Sequence, residues 1–149
     1  MQIQLAVSSD IPQLCGLLTA LFSQEAEYTP DSGLQAVGLA TIIEGDGIGD
    51  IMVAKANGKI TGMVSLLYTV STALGSRVAI LEDMVVSAEH RGAGIGSALL
   101  THAIEFAREK GCKRISLLTD QDNETAQHFY QQQGFSQSSM LTYILFLNN

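Results

Sequence analysis

The segment that most constrains the fold is VAILEDMVVSAEHRGAGIGSALL, residues 78–100. Its first nine residues are mostly apolar and predict a buried strand over 78–86. A short polar turn leads into RGAGIG, residues 91–96, and an amphipathic helix follows at once. The first amides of a helix lack intrahelical partners and carry partial positive charge, and glycines let a bulky group approach them. The segment therefore predicts an anion site, with Arg91 as a charged donor.

Three known kinds of phosphate-binding loop are possible interpretations of this glycine-rich turn. A P-loop needs a Lys after its last glycine, and Ser97 follows Gly96 instead. A Rossmann loop needs G-x-G-x-x-G in the first βα unit, whereas the spacing here is G-x-G-x-G beyond the middle of the chain. The third kind is the pyrophosphate loop Arg/Gln-x-x-Gly-x-Gly/Ala, which residues 91–96 fit at every defined position.

Length and composition predict one globular domain. The chain has 149 residues, of which 46% are hydrophobic and only 2 are Pro, so disorder is disfavoured. It has no apolar run of the roughly 18 residues that a membrane span needs. The first ten residues lack the basic and apolar regions of a secretory signal, and Cys15 and Cys112 form no C-x-x-C pair. We therefore expect a cytoplasmic protein without a membrane partner.

Charge is distributed unevenly along the chain. The net charge of −7 argues against a nucleic-acid partner. Residues 1–50 contain seven acidic residues and no Lys or Arg, while the remaining eight acidic residues balance all eight basic ones. The whole net charge therefore lies in the N-terminal third, which indicates a surface that attracts cations.

Periodicity predicts an α/β (α+β) chain in the order β-α-α-β-β-β-α-β-α-β-β. The expected strands are 2–7, 51–56, 59–71, 77–86 and 114–119, followed by terminal strands from Phe135 onward and over Leu141 to Leu147. The expected helices begin near Ser9, Ser32, Ile95 and Asn123 and end near Gln24, Glu44, Gly111 and Gln133. Asn57-Gly58 predicts a tight hairpin, so the middle three strands form an antiparallel meander. The helix–strand unit after it implies a parallel pairing.

Two motifs together resemble the GCN5-related N-acetyltransferase (GNAT) family. The first is LEDMVVSAEHRGAGIG, residues 81–96, and the second is NETAQHFY at 123–130 with Gly-Phe at 134–135. The element order is similar to that family over nearly the whole chain. The first motif, together with Asn-Glu before Phe-Tyr, is nearest to the spermidine/spermine and thialysine N-acetyltransferase branch. The resemblance implies a mixed sheet whose central strand and next parallel strand splay apart.

The resemblance also implies where acetyl-CoA, the expected cosubstrate, binds. The strand residues expected to contact its pantetheine arm are Met84, Val85 and Val86, with Asn123 and Ala126 on the other side of the arm. The loop residues expected to hold its pyrophosphate are Arg91, Gly92, Ala93, Gly94, Ile95, Gly96 and Ser97. An extended amide-bearing arm needs an exposed strand edge, and a pyrophosphate needs a helix N-terminus, which is consistent with these positions.

Glu82 is the favoured catalytic base. It lies on an otherwise apolar strand, where a carboxylate must be paired or have a function. As a base it would take a proton from an ammonium group, directly or through water. The alternative is an outward-facing carboxylate, because neighbouring strand residues such as Glu82 and Asp83 point to opposite faces. Asp83 is the less favoured base.

The family resemblance makes Tyr130 the acid that protonates the departing thiolate; the alternative is an ordinary core aromatic. We expect no metal, because His90, His102 and His128 lack metal-ligand spacing.

The combined interpretation is an acetyl-CoA-dependent N-acetyltransferase of a primary amine. We expect a small cationic acceptor, drawn by Glu25, Glu27 and Asp31 in the acidic N-terminal third. A protein or peptide amine, or a noncatalytic acyl-CoA-binding module, remains an alternative. A nucleotide-binding oxidoreductase is less consistent with the loop. A homodimer is a candidate assembly, because dimers are common in the family.

Overall fold

The computed structural model describes residues 1–25 and 27–147 and contains five strands and four α-helices. The strands are β1 (Gln2–Leu5), β2 (Gly49–Ala56), β3 (Lys59–Ser71), β4 (Ser76–Val86) and β5 (Ile115–Leu117). The helices are α1 (Ile11–Phe22), α2 (Ser32–Glu44), α3 (Ile95–Glu109) and α4 (Glu124–Gln132). Short 3-10 turns precede α1 and follow β4. The predicted α+β architecture is confirmed.

The strands form one sheet in the order β1-β2-β3-β4-β5. Strands β1 to β4 pair antiparallel, and β5 pairs parallel with β4. Two apolar layers cover its faces. One joins the sheet to α1 and α2 through buried residues such as Leu14, Leu39 and Val53. The other joins it to α3 through residues such as Leu66 and Leu99. The helix pair and α3 therefore lie on opposite faces of the sheet.

Local sequence explains the hairpin and the position of α3. Asn57 and Gly58 both adopt positive φ, at 54° and 75°, as the predicted hairpin turn between β2 and β3 requires. At Gly62 in β3, an added Cβ would lie 2.8 Å from Leu99 Cδ1 and 3.2 Å from Ile95 Cγ2. A side chain at this position would require Leu99 to move, so Gly62 favours the close packing of α3 on the sheet.

The two predicted terminal strands are absent from the described part of the chain. Residues 133–147 contain neither helix nor strand there, although Leu141 to Leu147 have strand composition. A strand needs a hydrogen-bonding partner as well as suitable residues, and this segment has none within the described chain. The segment is also strongly exposed, with Tyr143 at 90%.

Among the described residues, no helix is long and apolar enough to cross a membrane.

Candidate active site

A β-bulge in β4 places the two neighbouring carboxylates Glu82 and Asp83 together. The pairing with β3 shifts between Met63 and Ser65, and Asp83 has a positive φ of 54°. As a consequence, Leu81 and Met84 both pack on the face of the sheet that α3 covers. In a regular strand, side chains three positions apart would point to opposite faces. The expectation that Glu82 and Asp83 point to opposite faces is therefore wrong, because the extra residue interrupts the alternation.

Both carboxylates line a cavity of about 370 Å³ on the face covered by α1 and α2. The cavity is mostly apolar, and its walls include Leu18 and Phe22 of α1 and Ile42 of α2. Carboxylates in an apolar cavity can bind one end of a molecule through charge while the walls bind its hydrocarbon part. This combination fits an amine with an apolar portion.

Burial and neighbouring acidic groups raise the pKa values of Asp83, which lines the cavity, and of Glu25. Burial, followed by the charges of Glu82 and Glu25, raises the pKa of Asp83 to about 7. Burial also raises the pKa of Glu25, and the charges of Asp120 and Glu82 add to that effect. Like charges held close together favour protonation, or the binding of a cation that neutralises them. Asp83 therefore has the pKa of a base that works near neutral pH.

Tyr28 completes the rim of the cavity. Burial raises the pKa of its hydroxyl, and the charges of Glu27 and Glu25 add to the shift. Its ring packs against Phe22, with 5.8 Å between ring centroids. The hydroxyl therefore stays protonated at neutral pH and can donate a hydrogen bond into the acidic cavity.

The predicted glycine loop has the geometry of an anion site. Gly92 and Gly94 adopt positive φ of 83° and 82°, and a Cβ at either position would meet nothing within 4 Å. The glycines are therefore required by backbone conformation, and the space beside them is open. The first helical bond of α3 runs from Ala98 N to Gly94 O at 3.1 Å. The amides of residues 95–97 precede it and face the open end of the helix.

The edge of β4 is free next to this loop. Strand β5 pairs only with Ala79, Ile80 and Leu81, so the strands separate from Glu82 onward. Among the described residues, the backbone groups over Glu82–Val86 have β3 on one side and no strand on the other. The predicted splay is confirmed. A free strand edge beside a helix N-terminus fits the amide-bearing arm and the pyrophosphate of acetyl-CoA.

Tyr130 lies on the other face of the sheet from the acidic cavity. It packs with the α3 layer, edge-on to Phe129 at 5.2 Å and to Phe135 at 5.8 Å between ring centroids. Burial raises the pKa of its hydroxyl to about 12. The ring thus has the packing role of a core aromatic, and its hydroxyl keeps its proton at neutral pH.

Several predicted site residues have visible structural contacts. Asp31 caps α2, because its Oδ1 accepts from Leu34 N at 3.0 Å. Asn123 caps α4 in the same way, accepting from Ala126 N at 3.1 Å. Arg91 is exposed, and its Nε donates to Val86 O at 3.3 Å. Glu27 is exposed in the loop between α1 and α2. The cap contacts give Asp31 and Asn123 a role in stability whether or not they touch a ligand.

The sequence analysis did not identify Asp120 as a site residue, and it favoured Glu82 over Asp83 as the catalytic base. Asp120 follows β5, so it lies at the carboxyl end of the parallel β4–β5 pair, where ligands commonly bind in such sheets. Its position after the apolar segment 115–118 was a usable signal. The importance of Asp83 depends on the bulge, which the local sequence does not reveal.

A second cavity, of about 360 Å³, lies near the loop between α2 and β2. Three of its polar side chains have partners within the protein. Tyr68 OH donates to Asp50 Oδ2 at 2.7 Å, and the guanidinium of Arg77 lies 4.9 Å from the centroid of the Tyr68 ring. These contacts favour a structural role. No group of three or more His, Cys, Asp or Glu arranged to hold a metal occurs in the described chain.

Comparisons with known proteins point to one family. The family model "Acetyltransferase (GNAT) family" matches residues 14–135. The chain is 32% identical over 117 residues to glucosamine 6-phosphate N-acetyltransferase of Trypanosoma brucei brucei, covering 77% of this chain and 78% of that protein. It is 33% identical over 89 residues to the uncharacterized N-acetyltransferase YhfO of Bacillus subtilis (strain 168), covering 60% of this chain and 60% of YhfO.

A solved structure agrees with these sequence matches. A putative acetyltransferase from Agrobacterium tumefaciens str. C58 superposes with a TM-score of 0.83 at 28% identity, covering 98% of this chain and 100% of that one. The similarity therefore extends over the whole domain, beyond the two motifs.

Proposed function

Because this chain belongs to the GNAT family of acetyl-CoA-dependent N-acetyltransferases, we propose that it acetylates a primary amine of a small cationic molecule with an apolar portion. The observation that carries the proposal is the cavity in which the bulge of β4 brings Glu82 and Asp83 together. A cationic amine neutralises the carboxylates, and its hydrocarbon part contacts the apolar walls.

The charge of the cavity supports a cation over an anion as acceptor. Glu25 and Asp120 add to the two carboxylates of β4, and residues 1–50, which supply the helical wall, contain no Lys or Arg. A phosphorylated amine, such as the substrate named for the trypanosomal relative, would be repelled by this wall. The resemblance of residues 81–96 to the spermidine/spermine and thialysine branch makes diamines and polyamines the first candidates.

Acetyl-CoA supplies the activated acetyl group, and residues of this chain bind the cosubstrate and move protons. The amides of residues 92–97 and the guanidinium of Arg91 would hold its pyrophosphate. The free edge over Met84–Val86, Val85 included, would pair with its extended arm, with Asn123 and Ala126 of α4 on the other side.

The carboxylates would handle the proton of the amine. An ammonium group must lose a proton before its nitrogen can attack a carbonyl carbon. The buried position of Asp83 and its pKa of about 7 favour it over the exposed Glu82 as the acceptor of that proton. Glu82 would then keep the pKa of Asp83 high and attract the ammonium, and Tyr130 would protonate the departing sulfur from its hydroxyl.

An amine panel tests the proposal. Purified protein is incubated with acetyl-CoA and with diamines, polyamines, amino sugars, amino-acid amines or peptides, and released thiol is measured. We expect turnover with di- and polyamines and little turnover with anionic or neutral amines. Asp83→Asn is the matched control, because it removes the carboxylate and keeps the shape.

Two results would contradict the proposal. Turnover confined to peptides would assign a protein amine as the acceptor. Tight acetyl-CoA binding without turnover of any amine would favour the noncatalytic module.

A further inference from the structure

Helix α2 has a glycine in its middle that neither backbone conformation nor packing requires. Gly38 lies inside Ser32–Glu44, without the positive φ that requires glycine in the loop before α3. An added Cβ would meet nothing within 4 Å among the described residues, in contrast to the Cβ at Gly62. Glycine inside a helix lowers stability relative to alanine, because it loses more backbone freedom on folding. The fold itself therefore supplies no reason for glycine at this position.

The cavity lined by Glu82 and Asp83 supplies one. Gly38 also lines it, together with Leu34 one turn earlier and Ile42 one turn later. Residues four positions apart lie on the same face of a helix, so α2 presents two large apolar side chains to the cavity with a gap between them. Leu34 and Ile42 are about 12 Å apart along the helix axis. We call the gap between them the Gly38 notch.

The notch and the two carboxylates belong to opposite walls of the same cavity. Glu82 and Asp83 come from β4, whereas Gly38 comes from a helix that covers this face of the sheet. An amine held by the carboxylates has the rest of its structure inside a cavity of about 370 Å³. A backbone without a side chain lets a ligand approach closely, and hydrocarbon placed between Leu34 and Ile42 is removed from water.

Building on the proposed function, on which the assignment rests, we infer that Gly38 is a specificity-determining residue: its missing side chain leaves the space in which the hydrocarbon part of the acceptor crosses α2. The acceptor class that follows is an amine with several carbons beyond the reacting nitrogen, such as cadaverine, in preference to a short amine such as ethylenediamine. A side chain at this position would occupy the notch and leave the carboxylates and the loop before α3 unchanged.

Gly38→Ala and Gly38→Leu fill the notch in two steps. Because both residues form helices better than glycine, Gly38→Ala should raise the melting temperature by about 1–4 °C. We expect Gly38→Leu to raise the KM for cadaverine roughly tenfold to a hundredfold, as small misfits in apolar pockets do, with a smaller rise in Gly38→Ala. The KM for ethylenediamine and the KM for acetyl-CoA should hardly change. Steady-state kinetics and thermal unfolding measure these effects.

Gly16 of α1 offers a matched control. It also lies inside a helix, and an added Cβ there would meet nothing within 4 Å among the described residues. It is not one of the residues that line the cavity. Gly16→Ala and Gly16→Leu should therefore stabilise their helix in the same way and leave the selectivity between cadaverine and ethylenediamine unchanged. An equal loss of selectivity in Gly16→Leu would attribute the effect to helix substitution in general and overturn the inference.

Calorimetry with cadaverine in the presence of CoA measures acceptor binding without turnover. If wild type binds cadaverine more tightly than Gly38→Leu but acetylates no amine, the inference stands and the proposed function fails. If wild type and Gly38→Leu acetylate cadaverine with the same KM, the proposed function stands and the inference fails. A wild-type protein that neither binds nor acetylates cadaverine would also overturn the inference.

Discussion

At the scale of single residues, Asp83 shows how one backbone conformation changes chemistry. Its positive φ interrupts the alternation of β4 and places its carboxylate beside that of Glu82. Burial and two neighbouring charges then raise its pKa to about 7. The pKa of this carboxyl group therefore lies close to neutral pH, which is why we propose it as the base. Asp and Asn adopt positive φ more readily than most residues, which makes Asp compatible with this position.

Replacing Asp83 by Asn should lower turnover and raise stability at alkaline pH. Loss of a general base costs roughly 10²–10⁴-fold in rate, whereas Asn keeps the shape and tolerates the positive φ. Because folding raises the pKa of Asp83, its stabilising contribution is complete below about pH 4 and is lost as pH rises through about 7. We expect Asp83→Asn to be more stable than wild type at pH 8.

Urea unfolding at pH 5 and pH 8 measures that difference, and the exposed Asp46→Asn serves as control. The wild-type rate should rise with pH through about 7, as the carboxylate ionises. If the dependence of the rate on pH is the same in Asp83→Asn and in wild type, Glu82 is the better candidate for the base.

Tyr130→Phe should separate proton donation from packing. Phe preserves the edge-on contacts with Phe129 and Phe135, so CoA affinity and unfolding free energy should hardly change. Turnover should fall by roughly 10²–10⁴-fold, the usual contribution of a general acid. Steady-state rates and calorimetry with CoA measure the two effects separately. Wild-type turnover in the variant would transfer the acid role to water or to another group.

Residue-level prediction from sequence succeeds where a motif is local. The glycine loop could be predicted because positive φ at Gly92 and Gly94 is a property of glycine itself. The position of Glu82 and Asp83 on the same face of the sheet could not be predicted. The bulge that causes it arises from pairing with β3 at Met63 and Ser65, about twenty residues earlier in the chain. A strict two-residue period therefore predicts the wrong face.

At the scale of elements, the loop before α3 has a backbone conformation that suits an anion. Two left-handed glycines turn the chain so that the first amides of α3 point into open space, with Arg91 at the start of the loop. We expect Arg91→Ala to weaken CoA binding by roughly 1.5–3 kcal/mol, the contribution of a hydrogen bond to a charged group. Calorimetry with CoA gives the value.

Arg108→Ala, near the other end of the same helix, should leave affinity unchanged and is the matched control. Equal affinity in Arg91→Ala and wild type would remove the pyrophosphate assignment, and preferential binding of NAD or ATP would contradict the choice of CoA.

Element prediction fails only at the C-terminus. Helices α1 and α3 have periodic apolar faces and recognisable ends, so local sequence suffices to predict them. Residues 141–147 have equally clear strand composition, yet no strand forms in the described chain. Strand formation depends on a partner, and sequence composition cannot supply one.

At the scale of the whole molecule, the net negative charge comes from residues 1–50, which include the two helices that cover one face of the sheet. Glu25→Gln should raise the KM for a diamine severalfold and leave the KM for acetyl-CoA unchanged, because Glu25 interacts with the acidic groups of the cavity. Glu109→Gln, on the helix covering the opposite face, changes the net charge equally and should have little effect. Salt should reduce the difference between the two variants.

Steady-state kinetics at low and high ionic strength measure both effects. Equal shifts in the two variants would indicate a general field of the molecule instead of a local site. No shift in either variant would leave the acidic residues with a role in solubility alone.

The free edge of β4 over Glu82–Val86 also has a consequence for colloidal behaviour. Unpaired strand edges template pairing between chains, so we expect precipitation to start at this edge when no extended arm occupies it. A molecule that occupies the edge would act as a protective cap. We expect light scattering on heating to begin at a higher temperature with excess CoA than without it, and Arg91→Ala to lose most of that protection. Binding of the cosubstrate would then protect the protein from aggregation as well as support turnover.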